Sequence, residues 1–196
     1  SLPAALLGKE CRRFVSSPNY MLNCGMGVLM IPAAGVLLLL KGGEWLGLLK
    51  AVLPGADSVL AALAISVACL LASMNDMAAP SVSLEGKSLW VLQSLPVSAW
   101  EVLKAKLKMQ LVFTGIPMLV FLACALPVLG LSPVLSLLTA AGSLLSVLLL
   151  ALFGLTMGLK MPNLHWTSEI TPVKQGGSVA LALLGGWVYA LLPGGA

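Results

Sequence analysis

The sequence predicts an all-α, polytopic transmembrane bundle of five spans, with an N-terminal helix on the membrane face and a coupling helix in a cytoplasmic loop. Composition is the first reason. Hydrophobic residues make up 59% of the 196 and charged residues only 9%, against about 25% charged in a typical globular domain. Eleven basic and seven acidic side chains cannot cover a soluble sphere of this size, and large contiguous apolar surface marks a membrane or a partner. The second reason is where the charges fall. None occurs in residues 14–40, 58–75, 109–159 or 175–196. The third is the absence of alternation. A barrel strand places apolar and polar residues on opposite faces, whereas residues 36–40 (VLLLL) and 147–152 (VLLLAL) are apolar on every face, which suits a helix in lipid.

Each span follows from length. A helix needs about 20 apolar residues to cross the hydrocarbon layer, so the first, second and fourth charge-free stretches hold one span each. The 51 residues of the third would make a helix of about 75 Å, which must fold back. Gly130 and Pro133 mark the reversal, since Gly ends helices and Pro suits the first turn of the next. The spans are expected at about 21–40, 57–79, 109–129, 133–159 and 176–193. Together they form a single transmembrane domain over 1–196.

Nine of the eleven basic residues lie in the N-terminal segment and in the 80–108 and 160–175 connections; the 41–56 connection holds the other two, Lys41 and Lys50, offset by Glu44. Short basic connections face the cytoplasm, so the N-terminus is expected inside a plasma membrane. The same rule accounts for the basic residues without nucleic acid. Ser1 is not an initiator Met and the chain stops at Ala196 on a turn-like LPGGA; a fragment of a longer permease is expected.

Catalytic chemistry is hard to find. Ionisable groups at membrane depth read as functional, yet Asp76 is the only acid in a span, and it is read as a helix-end carboxylate reaching interfacial water. His165 has no second ligand at metal spacing. No GxxxxGK[ST] phosphate loop and no GxSxG elbow occurs, so the chain is expected to be no enzyme and to bind no metal or cofactor itself. Cys11, Cys24, Cys69 and Cys124 are widely spaced and read as packing residues. Gly154 and Gly158 form a GxxxG, and Ala61, Ala64, Ala68 and Ala72 a small-residue stripe; both read as intrachain packing.

The 80–108 connection is the most specific segment. Val82, Leu89, Trp90 and Leu92 are placed to lie at the membrane while Glu85 and Lys87 face water. Pro96 breaks the chain, and Ser98 with Glu101 spells a capping box, with Val97 and Val102 at the staple positions, that opens a helix running into the third span. Such a helix is a lever that a cytoplasmic partner could push; the alternative is a plain interfacial loop with snorkelling lysines.

Three segments resemble the permease subunits of bacterial ABC exporters of the type-2 membrane-domain class. Residues 9–23 (KECRRFVSSPNYMLN) resemble that family's basic interfacial helix, with Lys9, Arg12 and Arg13, followed by Ser-Pro and the first span. Residues 83–90 (SLEGKSLW) with 94–98 (SLPVS) resemble its cytoplasmic-loop signature. Residues 162–169 (PNLHWTSE) with 173–175 (VKQ) resemble its segment after the fourth span. The resemblance implies a multi-pass subunit of an ATP-driven exporter that pairs with a second membrane domain, in a homo- or heterodimer, and with a separate ATPase that binds ATP and Mg. It implies an ATPase-coupling loop at Ser83, Leu84, Glu85, Gly86, Lys87 and Trp90, and a second cytoplasmic loop at Trp166, Glu169 and Lys174. Family members have six spans per membrane domain and are longer, so a sixth span and a preceding half are expected to be missing. A membrane scaffold that only assembles a partner is the alternative function; a secondary transporter would call for buried ions, broken helices or inverted repeats.

Overall fold

The computed structural model describes residues 2–52, 55, 57–86, 89–164 and 177–191, and among these every regular element is a helix. In chain order they are α1 (Leu2–Ser16), α2 (Pro18–Cys24), α3 (Met26–Val52), α4 (Asp57–Ser73), α5 (Ala78–Ser83), α6 (Leu89–Ser94), α7 (Ala99–Leu129), α8 (Pro133–Lys160) and α9 (Gly177–Leu191). Four helical stretches are long and apolar enough to cross a membrane: Pro18–Val52, Asp57–Ser83, Ala99–Leu129 and Pro133–Lys160. The fifth expected span falls on α9, whose 15 residues rise about 22 Å against a hydrocarbon layer of about 30 Å.

The turns obey the sequence. Ser98 accepts from the Glu101 amide (3.3 Å) while the Glu101 carboxylate accepts from the Ser98 amide (3.0 Å), so the capping box opens α7. That helix ends at Gly130 in the left-handed region (φ 59°). Ser132 caps α8 with Pro133 in its first turn. Ser17 caps α2 through the Tyr20 amide, again with Pro in the first turn. This corner folds α1 back so that the Phe14 ring occupies the place of a Gly25 Cβ.

Two differences from the sequence reading carry weight. The first span does not stop at residue 40: α3 runs on through Lys41, Gly42, Gly43 and Glu44 to Val52. Its Gly35 and Gly42 lie against Phe121 and Val128 of α7, equal spacings that set the two helices parallel and in step. On that register α3 outlasts α7 by about nine residues, and its exposed Lys41 and Glu44 sit at or past the end of the bundle, where charge on a helix costs little. Lys50 then reaches back to cap the α7 terminus through Leu129 O (2.9 Å).

The second span is not one continuous helix. It breaks at residues 74–77, between α4 and α5. Pro80 supplies the reason, because a proline cannot donate to the carbonyl four residues back, here that of Asp76, and its ring collides with it. Within the first turn of α5 the same proline is tolerated.

Packing groups the helices into two halves. In one, α3 lies along α7 and α1 crosses it; in the other, α4, α5 and α9 pack on α8. The main apolar core, with Ile31, Leu60, Ala68, Met118, Leu122 and Val147, fills the seam between them. The GxxxG of α8 packs within the chain, as expected: Gly154 lies against the Asp76 carboxylate and Gly158 against Ala79 O.

Replacing Gly35 by Leu is expected to cost roughly 1–3 kcal/mol by overpacking, since its Cβ would lie 2.9 Å from the Phe121 Cα. Gly43→Leu, with nothing within 4 Å of its Cβ, serves as the neutral control. Thermal melting in detergent or nanodiscs reads both.

Candidate functional site

The site begins with α1. Its residues Lys9, Glu10 and Arg13 occupy one side of the helix, and Phe14 holds that side against the bundle through edge contacts with Tyr20 and Phe113, each 5.2 Å between ring centroids. Facing them is the turn after α5. Ser83, Leu84 and Glu85 are buried, at 1%, 3% and 3% exposure, and Gly86 takes a left-handed φ of 38°, a conformation that L side chains adopt only at a cost. This overturns the expectation that Glu85 faces water. The third contributor is α7, which presents Lys106 one helical turn below Gln110.

These elements meet on the Glu85 carboxylate. Lys106 Nζ lies 2.8 Å from Oε1 and Lys9 Nζ 2.9 Å from the same oxygen; the Arg13 guanidinium lies 3.0 Å from Oε2. Arg13 also donates to Leu84 O (2.8 Å), and Lys106 to Ser81 O (3.0 Å). Glu10 pairs with Lys106 at 3.1 Å. Three cations thus surround two carboxylates, and a charge held out of water requires this kind of pairing. Burial alone would push the Glu85 carboxyl up, but the Lys106 ammonium, helped by Lys9 and the Arg13 guanidinium, overrides it and holds the group at about 2.

One turn deeper, the break at 74–77 is stitched by side chains. The Gln110 amide spans it, accepting from Met77 N (2.6 Å) and donating to Asn75 O (2.6 Å). The Tyr20 hydroxyl donates to Met77 O (2.8 Å). Asn75 donates through Nδ2 to Thr114 Oγ1 (2.8 Å) and Phe113 O (3.2 Å), while its Oδ1 finds no donor among the described residues and lies against Gly27. Asp76 Oδ1 accepts from the amides of Ala78 and Ala79. It therefore holds the first amides of α5 while remaining partly exposed. Lys106, Gln110 and Thr114, all nearly inaccessible, form a polar stripe at four-residue spacing on α7. It connects the ion pairs to the break.

Beyond the buried turn, α6 has no buried residue, and Trp90 is 68% exposed. At the start of α7, Lys104 lies over the exposed Trp100 ring. A groove of about 390 Å³ runs beside the ion pairs, lined by Val82, Leu89, Leu92, Val102, Leu103 and Leu159 together with Glu85 and Lys106. The chain after α8 joins this end through Asn163 N, which donates to Ser83 Oγ (3.0 Å).

The structure brings Lys9, Arg13, Ser83, Leu84 and Glu85 of the sequence-predicted residues together. Arg12 is exposed on the outer side of α1 and Trp90 projects away. Lys87, Trp166, Glu169 and Lys174 lie outside the described residues. Glu10, Tyr20, Asn75, Gln110 and Thr114 were not foreseen; the four-residue spacing of Lys106, Gln110 and Thr114 on α7 was the available signal. Among the described residues no group of three or more His, Cys, Asp and Glu side chains could hold a metal, and the four cysteines are unpaired thiols. In comparisons with known proteins, the chain matches no protein-family model, no curated protein and no solved structure.

The depressed Glu85 pKa fixes a pH dependence. A carboxylate with a pKa below its unfolded value contributes stability above that unfolded value, about 4.5, which is lost as pH falls through about 2. Melting temperature should therefore hold level from pH 7 to about 5 and drop from there toward pH 3. Glu85→Gln should melt lower at pH 7, by roughly 3 kcal/mol for breaking a buried pair, and its acid limb should be shallower.

Proposed function

We propose that this chain is the membrane-spanning permease subunit of an ATP-driven exporter, oriented with α1, α6 and Lys160 on the cytoplasmic side, and that a separate ATPase grips it there. One observation carries the reading. The turn at Ser83–Glu85 is fastened by ion pairs to α1 and α7, while the next element, α6, stands free with Trp90 exposed. A projecting element on a rigid mount suits mechanical coupling: force on α6 reaches α7, and through Lys106 and Gln110 the break in the second span.

Within this reading the resemblance of 83–90 and 94–98 to an exporter loop signature keeps its meaning, with a division of labour. Ser83, Leu84, Glu85 and Gly86 build the mount, and Trp90 belongs to the surface that meets the ATPase. The chain has no nucleotide-binding machinery of its own in this account; ATP and Mg belong to the partner. A second membrane domain completes the path, and α9 serves as the fifth crossing. Charge asymmetry supports the orientation, because Lys9, Arg12, Arg13, Lys104, Lys106, Lys108 and Lys160 share the α1 end of the bundle, whereas Lys41, Glu44, Lys50 and Asp57 lie toward the other.

In cells, a cysteine at Glu44 should react with an impermeant maleimide from outside, and one at Lys104 only after permeabilisation; the reverse pattern inverts the layout and removes the coupling role. In a reconstituted complex with the ATPase encoded beside it, Trp90→Glu should lower substrate-stimulated ATP hydrolysis about tenfold, as for an aromatic anchor worth roughly 1–2 kcal/mol, with melting unchanged. Wild-type stimulation in that variant favours the scaffold reading.

A further inference from the structure

We infer that the bundle opens along the seam between its two halves at the α1 end, hinged at the opposite end, and that Gln110, Tyr20 and Glu85 are the latch that holds it shut. The inference deepens the permease reading by saying where the path gives way, and rests on it for the purpose of that opening.

Connectivity supplies the hinge. The halves are α1, α2, α3 and α7 on one side, and α4, α5, α8 and α9 on the other. Two connections cross the seam at the far end, α3 to α4 through residues 53–56 and α7 to α8 through residues 130–132. Both are short, and Lys50 of α3 lies 3.8 Å from Asp57 of α4 across the same gap. At the α1 end the halves are joined by the long excursion through residues 84–98, which has chain to spare. The far end is tied by two short connections, the near end by a single long one.

Chemistry supplies the latch. Along the middle of the seam the contacts are apolar, from Met118 and Leu122 on one side and Ala68, Ala72 and Val147 on the other. Lipid tails are as apolar as these side chains, so no hydrophobic gain holds them together in a bilayer. Polar contacts have no such substitute in hydrocarbon, and among the described residues those that cross the seam gather at the α1 end, apart from the Lys50–Asp57 pair at the hinge. Gln110 of α7 bonds Asn75 O and Met77 N of the broken span; Tyr20 of α2 bonds Met77 O; Lys106 of α7, with Lys9 and Arg13 of α1, holds Ser81 and Glu85. The break itself makes the latch reversible, because its bonds run to side chains and can be exchanged for water without unwinding either half.

The same geometry makes α6 the release. It follows Glu85 directly and leads into α7, so it lies on the one connection that crosses the seam where the latch is.

Double electron–electron resonance on the full chain in nanodiscs tests this, with spin labels carried by unnatural amino acids so that the native cysteines stay. One pair, Asn19 on α2 with Lys160 on α8, spans the α1 end; another, Leu40 on α3 with Leu137 on α8, spans the hinge end. All four positions are exposed. Gln110→Leu should lengthen the first distance by about 5 Å or more, the scale of a one-turn shift between packed elements, and leave the second unchanged. Tyr20→Phe, which removes one hydroxyl, should add a smaller population at the longer distance and remains informative if Gln110→Leu does not fold. An unchanged Asn19–Lys160 distance in the folded variants, or widening of the Leu40–Leu137 pair, overturns the inference. The measurement uses no ATPase, so a protein that opens but never couples to one refutes the permease reading alone, and one that couples without opening refutes the latch alone.

Discussion

A backbone that leaves the helix inside a membrane must find its hydrogen bonds within the protein, because hydrocarbon offers none. Residues 74–77 face that requirement, and most of the unusual features of this bundle answer it. Pro80 forces the helix apart; Gln110, Tyr20 and Asp76 then take up the amides and carbonyls set free, and Thr114 holds Asn75 in place. The polar stripe on α7 continues down to Lys106, which neutralises Glu85 at the next turn of chain. Without the break, these polar groups on α7 would have no partners to meet. Without α1 folded back at Ser17, Glu85 would lack two of its three cations.

This arrangement ties a surface loop to the interior of the membrane through rigid contacts. Glu85 is buried among Lys9, Arg13 and Lys106, and its low pKa means that the carboxylate stays charged and paired through the physiological range. The turn is therefore a mount and no pH sensor. Function, in the permease reading, depends on that stiffness: a displacement applied at α6 is not absorbed by a yielding loop. The glycines of α3 and α8 serve the same end. Gly35 and Gly42 bring α3 against α7, and Gly154 and Gly158 bring the broken span against α8, so that each half is closely packed.

Much of the fold was legible. Charge-free runs located the four stretches long and apolar enough to cross a membrane, and Ser98 with Glu101, Gly130 and Pro133 placed both ends of α7 and the start of α8, because capping and turn chemistry is local. What was not legible depends on distant partners. Glu85 looked solvent-exposed because a charge in a short basic loop usually is; its burial follows from cations 76 and 21 residues away. Lys41 and Glu44 looked like the end of a span, yet the helix passes through both, since nothing in the local sequence stops it. Pro80 was the visible cue for the break, but its effect falls four residues upstream and reads as a helix end unless the carbonyl at Asp76 is considered.

The Glu85–Lys106 pair binds the turn at Ser83–Gly86 to α7, and a double-mutant cycle measures this most directly. Melting free energies of Glu85→Gln, Lys106→Met and the double variant are compared with the parent protein in nanodiscs. The account predicts a coupling energy well above the roughly 0.3–0.5 kcal/mol within which independent sites add, with the double variant more stable than the sum of the single losses implies. Strict additivity would mean that the two side chains do not hold each other, and that the turn is not anchored where this structure places it.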